Sequence, residues 1–442
     1  MADAVWPVVV VGGGAAGLVA AIVAAEGGHP VLLLERTDRL GQKILIAGGG
    51  RCNVLPAQVH TGVFETDSPR ETLEAVLAAW PLDRQTAFFE RTLGVRLKRE
   101  DFPTVFTPPY PGVSMTSRFG GPGKLFPVSD QARQVRDALL HESRRRGVTV
   151  WTTTSVEKIE RLTTNDWRLE LGHWAAKSAA KGGPAATYHP PTTILCHRLV
   201  LATGSLSVPT TGSDGTGLRL VEALGHAVTP TYPALTPLLG GAEAHHALAG
   251  VSLPARLTTD GNAPRQADGG FLFTHRGYSG PAVLDMAHAV TRPQAGPRPT
   301  LRAQWGDLSA DEWTAALVQA RGGVLQVLRE RLPERLARQL VAEAGLTETQ
   351  RAAELRRADR QRLLDRLTRY PLPVSGDEGY RKAEVTGGGV RLDQVNPMTL
   401  ESRVCPGLFL CGEMLDVFGP IGGYNFLWAW ASGYVAGRGA AR

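Results

Sequence analysis

The sequence predicts an α/β protein built on a buried parallel sheet, with a β-rich and a helical segment inserted before its end. The four valines at 8–11 form a continuous β-branched run, which is typical of a strand buried on both faces of such a sheet. A glycine-rich turn and an apolar helical stretch follow directly, and a second strand–loop–helix pattern begins at residue 408. Between these ends, sequence rich in Pro, Thr and Val at 227–308 changes to sequence rich in Arg, Glu, Leu and Ala at 309–368.

Length and composition limit the class of protein. The 442 residues suffice for two or three domains, and 43% hydrophobic with 20% charged residues exclude a chain that is disordered throughout. The net charge of +6 leaves open a positive field toward phosphate-bearing partners. Cys52, Cys196, Cys405 and Cys411 form no CxxC pair and match no histidine spacing, so we expect neither a disulfide framework nor a metal site. Without a long apolar or signal-like segment, we expect a cytoplasmic protein with no membrane partner.

The N-terminal segment predicts dinucleotide binding. Gly12, Gly14 and Gly17 follow the first strand in G-x-G-x-x-G spacing and open a helical stretch at 18–25. A second strand at 31–34 ends at Glu35, 18 residues after the last glycine. Such glycines let backbone N–H groups and a helix N-terminus approach a pyrophosphate, while the carboxylate accepts hydrogen bonds from a ribose diol. Because a carboxylate repels a 2′-phosphate, Glu35 argues against NADP in this first site.

The segment GQKILIAGGGRCN at 41–53 is a second candidate contact with a ligand. Three glycines at 48–50 precede Arg51, Cys52 and Asn53 and follow neither a helical nor a strand pattern. Such a loop allows close approach of the backbone to a flat ligand or a phosphate. A flexible surface loop is the alternative, and Cys52 is equally compatible with an inert buried residue.

The middle of the chain predicts further regular elements. We expect helices at 70–79, at 83–92 and up to residue 146, the last capped by Ser129 or Asp130, strands at 148–154, 156–162 and 167–171, a hairpin loop without chemistry at 175–191, and a helix at 218–224. A buried strand at 199–202 opens into Thr203 and Gly204, where an open α/β sheet presents ligand contacts.

The C-terminal segment repeats the arrangement of the N-terminal one. A strand at 408–411 ends at Gly412 and Glu413, and Gly423, Tyr424 and Asn425 open an apolar helix at 426–436. The N-terminus of this helix can place N–H donors near a developing negative charge. The alternative is a helix that only completes the fold.

Together these segments resemble the BaiN/RdsA (YhiN-like) family of FAD-dependent oxidoreductases, also described as aminoacetone oxidase-like flavoproteins. The matching motifs lie between residues 12 and 437: GGGAAGLVAA, GQKILIAGGGRCN, LFPVSDQA, LVLATGSLSVPTTGS, FLFTHRGYSGPAVLDM, EVTGGGVRLDQVNPMTLESR and GLFLCGEMLDVFGPIGGYNFLWAWASGYVAG. The resemblance implies a glutathione reductase-like, discontinuous Rossmann-type FAD-binding domain, an inserted β-barrel-like domain and a helical module nested in that. We therefore expect the FAD-binding domain at 1–226 and 385–442, the β-rich domain at 227–308 and 371–384, and the helical insert at 309–370.

The resemblance also implies which residues contact FAD, all of them at the glycine-rich segments described above. The expected contacts are Gly12, Gly14, Ala15, Ala16 and Gly17 at the pyrophosphate; Glu35 and Arg36 at the adenosine ribose; Lys43, Gly49, Gly50, Arg51, Cys52 and Asn53 along the cofactor; Thr203 and Gly204 beside it; Gly412 and Glu413 at the ribityl or pyrophosphate region; and Gly423, Tyr424 and Asn425 at the pyrimidine end of the isoalloxazine. Val54 and Ser205 depart from the family pattern, which affects the expected substrate rather than the cofactor.

The same resemblance implies an enzyme that transfers hydride through the flavin. No second G-x-G-x-x-G follows a strand and no CxxxxC pair is present, so we expect NAD(P)H to bind transiently as the reductant. The implied substrate is a C=C bond conjugated to a carbonyl, foremost that of uridine in ribosomal RNA. This reduction also requires a proton donor, for which Cys52 beside Arg51, and His275 beside Arg276 and Tyr278, are the candidate catalytic residues.

Three alternatives remain open: a flavin-dependent amine oxidase, a reductase of steroid-like enones, and a flavin-carrying RNA-binding factor with little turnover. An RNA partner is suggested further by the basic helical insert, for which a solvated helical surface is the plainer explanation, and no DNA partner is expected. The arginines of that insert are Arg329, Arg331, Arg335, Arg338, Arg351, Arg356, Arg357, Arg360, Arg362, Arg366 and Arg369.

Overall fold

The computed structural model describes residues 5–101, 105–106, 115–116, 123–173, 192–241, 243–260, 264–294 and 296–442. The hairpin loop predicted at 175–191 lies outside these ranges. Among the helices of the described ranges, none combines the length and the apolarity that crossing a membrane requires.

Both strands and helices occur along the described chain. In chain order the strands are β1 (Val5–Val11), β2 (Val31–Leu34), β3 (Leu55–Pro56), β4 (Leu97–Glu100), β5 (Val105–Phe106), β6 (Met115–Thr116), β7 (Lys124–Pro127), β8 (Thr149–Trp151), β9 (Thr154–Arg161), β10 (Trp167–His173), β11 (Thr193–Leu201), β12 (Val228–Ala234), β13 (Leu238–Gly240), β14 (Ser252–Thr259), β15 (Gln266–Phe273), β16 (Gly277–Ser279), β17 (Leu301–Trp305), β18 (Tyr370–Pro371), β19 (Val374–Asp377), β20 (Val385–Val390) and β21 (Leu408–Leu410). The helices are α1 (Ala15–Ala25), α2 (Gln42–Ile46), α3 (Glu71–Ala79), α4 (Leu82–Ala87), α5 (Ala132–Arg145), α6 (Thr216–Ala223), α7 (Glu243–His246), α8 (Pro281–Met286), α9 (His288–Thr291), α10 (Ala310–Gln319), α11 (Val324–Arg329), α12 (Glu334–Glu343), α13 (Arg357–Thr368) and α14 (Tyr424–Ala440).

The first of two compact units extends to Glu100 and includes Gly123–Thr231 and Val385–Arg442. Its main sheet has the order β8-β2-β1-β11-β10-β9, and β21 pairs with the C-terminal part of β11. β8, β2, β1, β11 and β21 run parallel, while β10 and β9 extend the sheet antiparallel. The valines at 8–11 are all buried, which confirms the predicted α/β core and explains why that strand has no polar alternation.

The two long apolar helices of this unit pack closely against each other. A Cβ on Gly433 of α14 would lie 2.3 Å from the carbonyl oxygen of Ala16, and a Cβ on Gly437 would lie 2.5 Å from that of Ala20. The contacts advance by four residues on both helices, so α1 and α14 run in the same direction with their backbones in contact. Their N-termini therefore face the same end of the unit.

The second unit contains Tyr232–Glu384 and the described residues between 101 and 122. Its largest sheet is antiparallel with the order β18-β17-β14-β15-β16-β13-β19. The two edge strands, β18 and β19, are separated in sequence only by Leu372 and Pro373. A step from Pro371 to Val374 spans at most about 10 Å, so the two edges of the sheet come close together. Because no ladder joins them in the described residues, the expected barrel-like domain is a curled but open sheet.

One apolar core serves both the sheet and the helices of this unit. Phe271 and Trp305 from the strands belong to the same buried cluster as Trp313, Leu340 and Leu363 from the helices. The β-rich and helical segments predicted from composition therefore share a single core, and helices α10–α13 depend on the sheet for burial of their apolar faces.

One local prediction is wrong. Helix α5 begins at Ala132, with Gln131 as its N-cap and no capping side chain, although Ser129 or Asp130 was expected to cap it. The carboxylate of Asp130 lies instead 2.6 Å from Arg51 Nη2 and 2.5 Å from Lys98 Nζ. Two ion pairs hold this side chain away from the helix end, which short-range sequence could not show.

Candidate functional site

The glycine-rich motifs of the first unit meet at the carboxyl edge of its parallel sheet. Gly12 N donates to Leu34 O at 2.8 Å, Ala202 N donates to Val11 O at 2.8 Å, and Cys411 N donates to Leu201 O at 3.1 Å. These bonds link the residues that follow β1, β2, β11 and β21. In open α/β sheets this edge is where ligands bind.

Two glycines of the first turn, Gly12 and Gly17, occupy positions where a side chain would collide with the backbone. A Cβ on Gly17 would lie 1.8 Å from Gly12 O, and Gly12 itself has a φ of +105° against the backbone of Ala202. A Cβ on Gly14, in contrast, would meet no atom within 4 Å. Gly14 is the N-cap of α1, which has no capping side chain. The first turn of α1, which includes Ala15 and Ala16, thus presents its N–H end toward open space that suits a phosphate.

Glu35 is buried beside this turn. Its Oε2 accepts from Gly13 N at 2.8 Å, and its Oε1 accepts from Thr37 N at 2.8 Å and from Thr37 Oγ1 at 2.7 Å. Burial raises the pKa of Glu35, and these hydrogen bonds oppose that effect only in part. A carboxylate oxygen accepts more than one hydrogen bond, so Oε2 retains capacity for a ribose hydroxyl.

Arg36 faces the turn that follows β11. Its Nη1 lies 2.6 Å from Asp214 Oδ1 and donates to Gly212 O at 3.2 Å. Gly204, on the same turn, adopts φ +71°, and a Cβ there would lie 2.6 Å from Ser213 Oγ. Thr203 Oγ1 would lie only 1.9 Å from a Cβ on Gly217 of α6. The predicted contacts Thr203 and Gly204 are therefore tightly packed backbone positions beside the strand end.

Lys43 and Glu413 come from opposite ends of the chain and form an ion pair. Lys43 Nζ lies 2.7 Å from Glu413 Oε2 and 2.7 Å from Ser207 Oγ. Ser207 Oγ donates to Glu413 Oε1, which also accepts from Thr386 N at 3.1 Å. Thr386 Oγ1 in turn accepts from Ser207 N at 3.0 Å. Sequence reasoning found Lys43 and Glu413 but missed Ser207 and Thr386, which hold the pair in position.

The glycine triplet adopts a conformation that confirms why glycine is required there. Gly48, Gly49 and Gly50 all have positive φ, and a Cβ on Gly49 would meet nothing within 4 Å. The side-chain amide of Asn53 is oriented so that both its oxygen and its nitrogen are hydrogen-bonded, and Oδ1 accepts from Gly423 N at 2.9 Å. Two segments predicted to contact one cofactor are therefore joined directly.

Cys52 lies within the same loop but its thiol is buried. The residue is 0% exposed and adopts φ 60°. Burial raises the pKa of the Cys52 thiol to about 12, so the thiol stays neutral at physiological pH. Arg51 does not lower it, because Arg51 Nη2 binds Glu100 and Asp130 and its guanidinium stacks over Phe126. Arg51 therefore does not tune the Cys52 thiol, and the role of this thiol as a neutral proton donor remains a prediction.

The N-terminus of α14 completes the edge. Gly423 is its N-cap, with φ 94° and no capping side chain. Asn425 Oδ1 accepts from Gly419 N at 2.9 Å, and Tyr424 OH donates to Gln58 O at 3.1 Å. Asn425 thus fixes the preceding loop, and Tyr424 ties the helix N-terminus to the segment after β3, which leaves the helix N–H groups as the ligand-facing element. Gly412 lies close to the first turn of α1, since a Cβ there would be 2.9 Å from Ala16 Cβ.

The second candidate proton donor, His275, belongs to the second unit. It is exposed on the turn between β15 and β16, which Thr274 N closes by donating to Gly277 O at 2.8 Å. No described residue orients its ring. Its catalytic role remains a prediction.

Sequence reasoning missed a buried polar cluster in this unit. His245 Nδ1 lies 2.7 Å from Tyr278 OH, and His245 Nε2 lies 2.8 Å from Tyr370 OH. Tyr370 OH donates to Glu343 Oε1 at 3.2 Å. Because the hydroxyl proton of Tyr370 is donated to Glu343, the Tyr370 oxygen accepts from His245 Nε2. The four residues form one directed hydrogen-bond chain between the sheet and α12.

Asp416 is a second buried acid that the sequence did not single out. Its Oδ2 accepts from Ser68 Oγ at 2.9 Å, from Asp67 N at 3.0 Å and from Thr66 Oγ1 at 3.3 Å. Burial raises the pKa of Asp416, and the hydrogen bonds oppose this. The carboxyl group fixes the segment before α3 against the loop that leads to α14.

The strand ends, the glycine turn and the buried carboxylate define a Rossmann-type dinucleotide-binding protein. The chain belongs to the family described as HI0933-like protein Rossmann domain, whose model matches residues 6–110 and 112–439. It is an FAD-dependent oxidoreductase, as this family and its relatives indicate. The open space at Gly14 and Gly49 and the N-termini of α1 and α14, whose N-cap glycines supply no capping side chain, fit that cofactor.

Curated relatives match nearly the whole chain. A ribosomal RNA dihydrouridine synthase from Escherichia coli is 30% identical over 428 residues, covering 94% of this chain and 93% of the relative. A 3-dehydro-bile acid delta(4,6)-reductase from Clostridium scindens is 30% identical over 426 residues, with 94% of each chain covered. Among solved structures, a 3-ketosteroid delta1-dehydrogenase from Sterolibacterium denitrificans matches with a TM-score of 0.50 at 12% identity and 99% coverage of both chains, which supports the fold alone.

Proposed function

We propose that the protein reduces a carbon–carbon double bond conjugated to a carbonyl, with NAD(P)H as the reductant and uridine in ribosomal RNA as the substrate. The observation that carries this proposal is the similarity to a ribosomal RNA dihydrouridine synthase over 94% of the chain. A second such relative, from Haemophilus influenzae, is 28% identical over 95% of the chain. The uracil C5=C6 bond is conjugated to the C4 carbonyl, which makes it an acceptor for hydride.

When bound, FAD supplies hydride transfer between nicotinamide and substrate. The chain's own residues bind the cofactor and fix the segments around it. Glu35 and the first turn of α1 hold the adenosine and pyrophosphate part, and the Lys43–Glu413 pair fixes α2 against the loop after β21. The N-terminus of α14 directs its N–H groups toward negative charge.

The proton needed on the neighbouring carbon is proposed to come from the Cys52 thiol. A thiol whose pKa is raised to about 12 holds its proton at Sγ throughout the physiological range. The positive φ of Cys52, in a residue other than glycine, is a strained conformation of the kind that occurs at functional sites. His275 is the competing donor, and its exposure favours a role closer to solvent.

A reductase of steroid-like enones is the second candidate function, because the bile acid reductase is as similar to this chain as the dihydrouridine synthase.

A cytoplasmic location is part of the proposal, since all four cysteines are free thiols and suit a reducing compartment.

The test follows the reduction of the flavin and its reoxidation by substrate as two separate steps. Anaerobic enzyme is reduced with NADH or NADPH and then mixed with unmodified ribosomal RNA or with a 3-keto-4-ene steroid. Fast reoxidation by the RNA, with dihydrouridine in the product, supports the first candidate. Reoxidation by the steroid alone supports the second, and reoxidation by neither contradicts both.

A further inference from the structure

Two groups among the arginines of the helical segment 309–370 differ in their surroundings in the structure. One group is bound within the fold, either by acids at distances of 2.7 to 4.0 Å or by backbone carbonyls. Its members are Arg335, Arg338, Arg351, Arg362 and Arg366. The acids offset the charges of Arg338, Arg351, Arg362 and Arg366, and the carbonyls occupy donors of Arg335.

Three arginines at the start of α13 behave differently. Arg356 and Arg357 are exposed, and Arg360 is partly exposed. Within the described part of the chain, no carboxylate lies within ion-pair distance of any of the three. The nearest acids in sequence are already bound, since Asp359 pairs with Arg362 at 2.8 Å and Glu354 pairs with Arg351 at 3.9 Å.

The three side chains share one surface. Arg360 N donates to Arg356 O at 3.0 Å, which fixes the first turn of the helix. Positions three and four apart on a helix have Cβ atoms about 5–6 Å apart. Arg357 therefore lies beside Arg360, and Arg356, the N-cap, directly precedes Arg357, so three charges without an ion-pair partner among the described residues lie at the start of this helix.

This arrangement is unfavourable for the free protein. The N-terminal turn of a helix carries partial positive charge, and a cation there opposes it by about 0.3–1 kcal/mol. An anionic partner removes the conflict with both the side chains and the helix.

The chemistry of the patch favours a polyanionic backbone. The apolar side chains Leu363, Leu364 and Leu367 of α13 are buried in the core, so the helix offers no apolar face for insertion into a membrane. The large exposed hydrophobic residues among those described lie outside α13, so an aromatic or aliphatic anchor for a protein partner is absent from this helix.

We propose that Arg356, Arg357 and Arg360 bind the phosphate backbone of the RNA substrate. This inference rests on the proposed function for the identity of the RNA. The arginines position the RNA and do not read its sequence, because phosphate contacts carry no base information.

The test compares three variants, each with three substitutions. R356Q/R357Q/R360Q removes the patch, and R356K/R357K/R360K keeps its charge. R338Q/R351Q/R362Q removes the same number of charges from arginines that are bound to acids. FAD content and thermal unfolding first show that each variant is folded. The affinity of each variant for a single-stranded, uridine-containing RNA oligonucleotide is then measured at several salt concentrations between 50 and 200 mM.

Each phosphate contact contributes about 0.7 to the slope of log affinity against log salt for single strands. We expect R356Q/R357Q/R360Q to lower that slope by about 2 and to weaken binding at least tenfold at 50 mM salt. The lysine variant retains the slope, and the R338Q/R351Q/R362Q control changes it by less than about 1. An unchanged slope in the patch variant, or an equal loss in the control, overturns the inference. Wild-type protein that binds RNA through this patch but forms no dihydrouridine contradicts the proposed function alone.

Discussion

At the scale of single residues, Glu35 connects the fold to its cofactor. Its carboxylate is buried, and it accepts hydrogen bonds from the backbone of Gly13 in the glycine turn and from Thr37. The same group thus fixes the turn and presents an acceptor to a ribose. Removal of its charge affects both roles.

Glu35→Gln is expected to raise the FAD dissociation constant about tenfold or more, because a hydrogen bond to a charged group contributes about 1.5–3 kcal/mol. Fluorescence titration of the apoprotein with FAD measures this. Asp38→Asn is the matched control, since Asp38 is an exposed acid three residues away. Equal affinity of Glu35→Gln and wild type would show that the carboxylate does not bind the cofactor.

Cys52→Ala is expected to slow the reaction of reduced enzyme with substrate at least 100-fold, in line with the loss of a general acid. Reduction by NAD(P)H should change far less. In wild type the substrate step should stay level from pH 6 to pH 9, since the thiol, with a pKa of about 12, remains protonated there. Stopped-flow absorbance of the flavin follows both steps.

Cys196→Ala is the control for that experiment, because Cys196 is also a fully buried free thiol with a pKa raised by burial. If both alanine variants react as fast as wild type, Cys52 is a packing residue and His275 becomes the remaining candidate donor.

Among the helices and strands, α1 and α14 pack with their backbones in contact. Gly433→Ala ordinarily favours a helix, but here its Cβ would lie 2.3 Å from Ala16 O. We expect the free energy of unfolding to fall by about 1–3 kcal/mol from overpacking. Gly62→Ala is the control, since its Cβ would meet no atom within 4 Å and should change stability by less than about 0.5 kcal/mol. Urea unfolding measures both, and stabilisation by Gly433→Ala would refute the contact.

The cluster beneath α12 makes stability depend on pH. Burial raises the pKa of Glu343, but His245, whose Nε2 lies 3.7 Å from Oε1, and the hydrogen bonds from Gln339 and Tyr370 lower it by more, so the native pKa lies below its usual value. The ionised carboxylate therefore stabilises the native state above the unfolded pKa of about 4.3, and that contribution is lost as pH falls through the native value.

Glu343→Gln should accordingly destabilise the protein more at pH 7 than at pH 4. The difference in free energy of unfolding between wild type and variant, measured by urea titration at the two pH values, checks this. A difference that is equal at both pH values, or larger at pH 4, would contradict the role of the ionised carboxylate.

At the scale of the whole molecule, the two ends of the chain build one sheet edge. β21 pairs with β11, which pairs with β1, so residues near 412 lie beside those near 12. That these two segments meet at one sheet edge could be predicted from the sequence. The valine run, the G-x-G-x-x-G spacing and Glu35 are local signals with a direct physical cause, and the family motifs added their order along the chain.

The rest depends on contacts that local sequence does not encode. Lys43 and Glu413 are 370 positions apart, and His245 and Tyr370 are 125 apart. Nothing within ten residues of Ser207 or Thr386 marks them as supports for that ion pair. At Asp130 a local signal was misleading for the same reason. The local pattern predicts a helix cap, but basic side chains distant in sequence bind the carboxylate instead.

We propose that the reduced protein delivers hydride to uridine in ribosomal RNA. The most direct measurement mixes anaerobically reduced wild-type protein with unmodified ribosomal RNA, follows flavin absorbance and quantifies dihydrouridine in the digested RNA by mass spectrometry. We expect reoxidation of the flavin with one dihydrouridine formed per flavin oxidised. Flavin that stays reduced in the presence of this RNA, with no dihydrouridine formed, would contradict it.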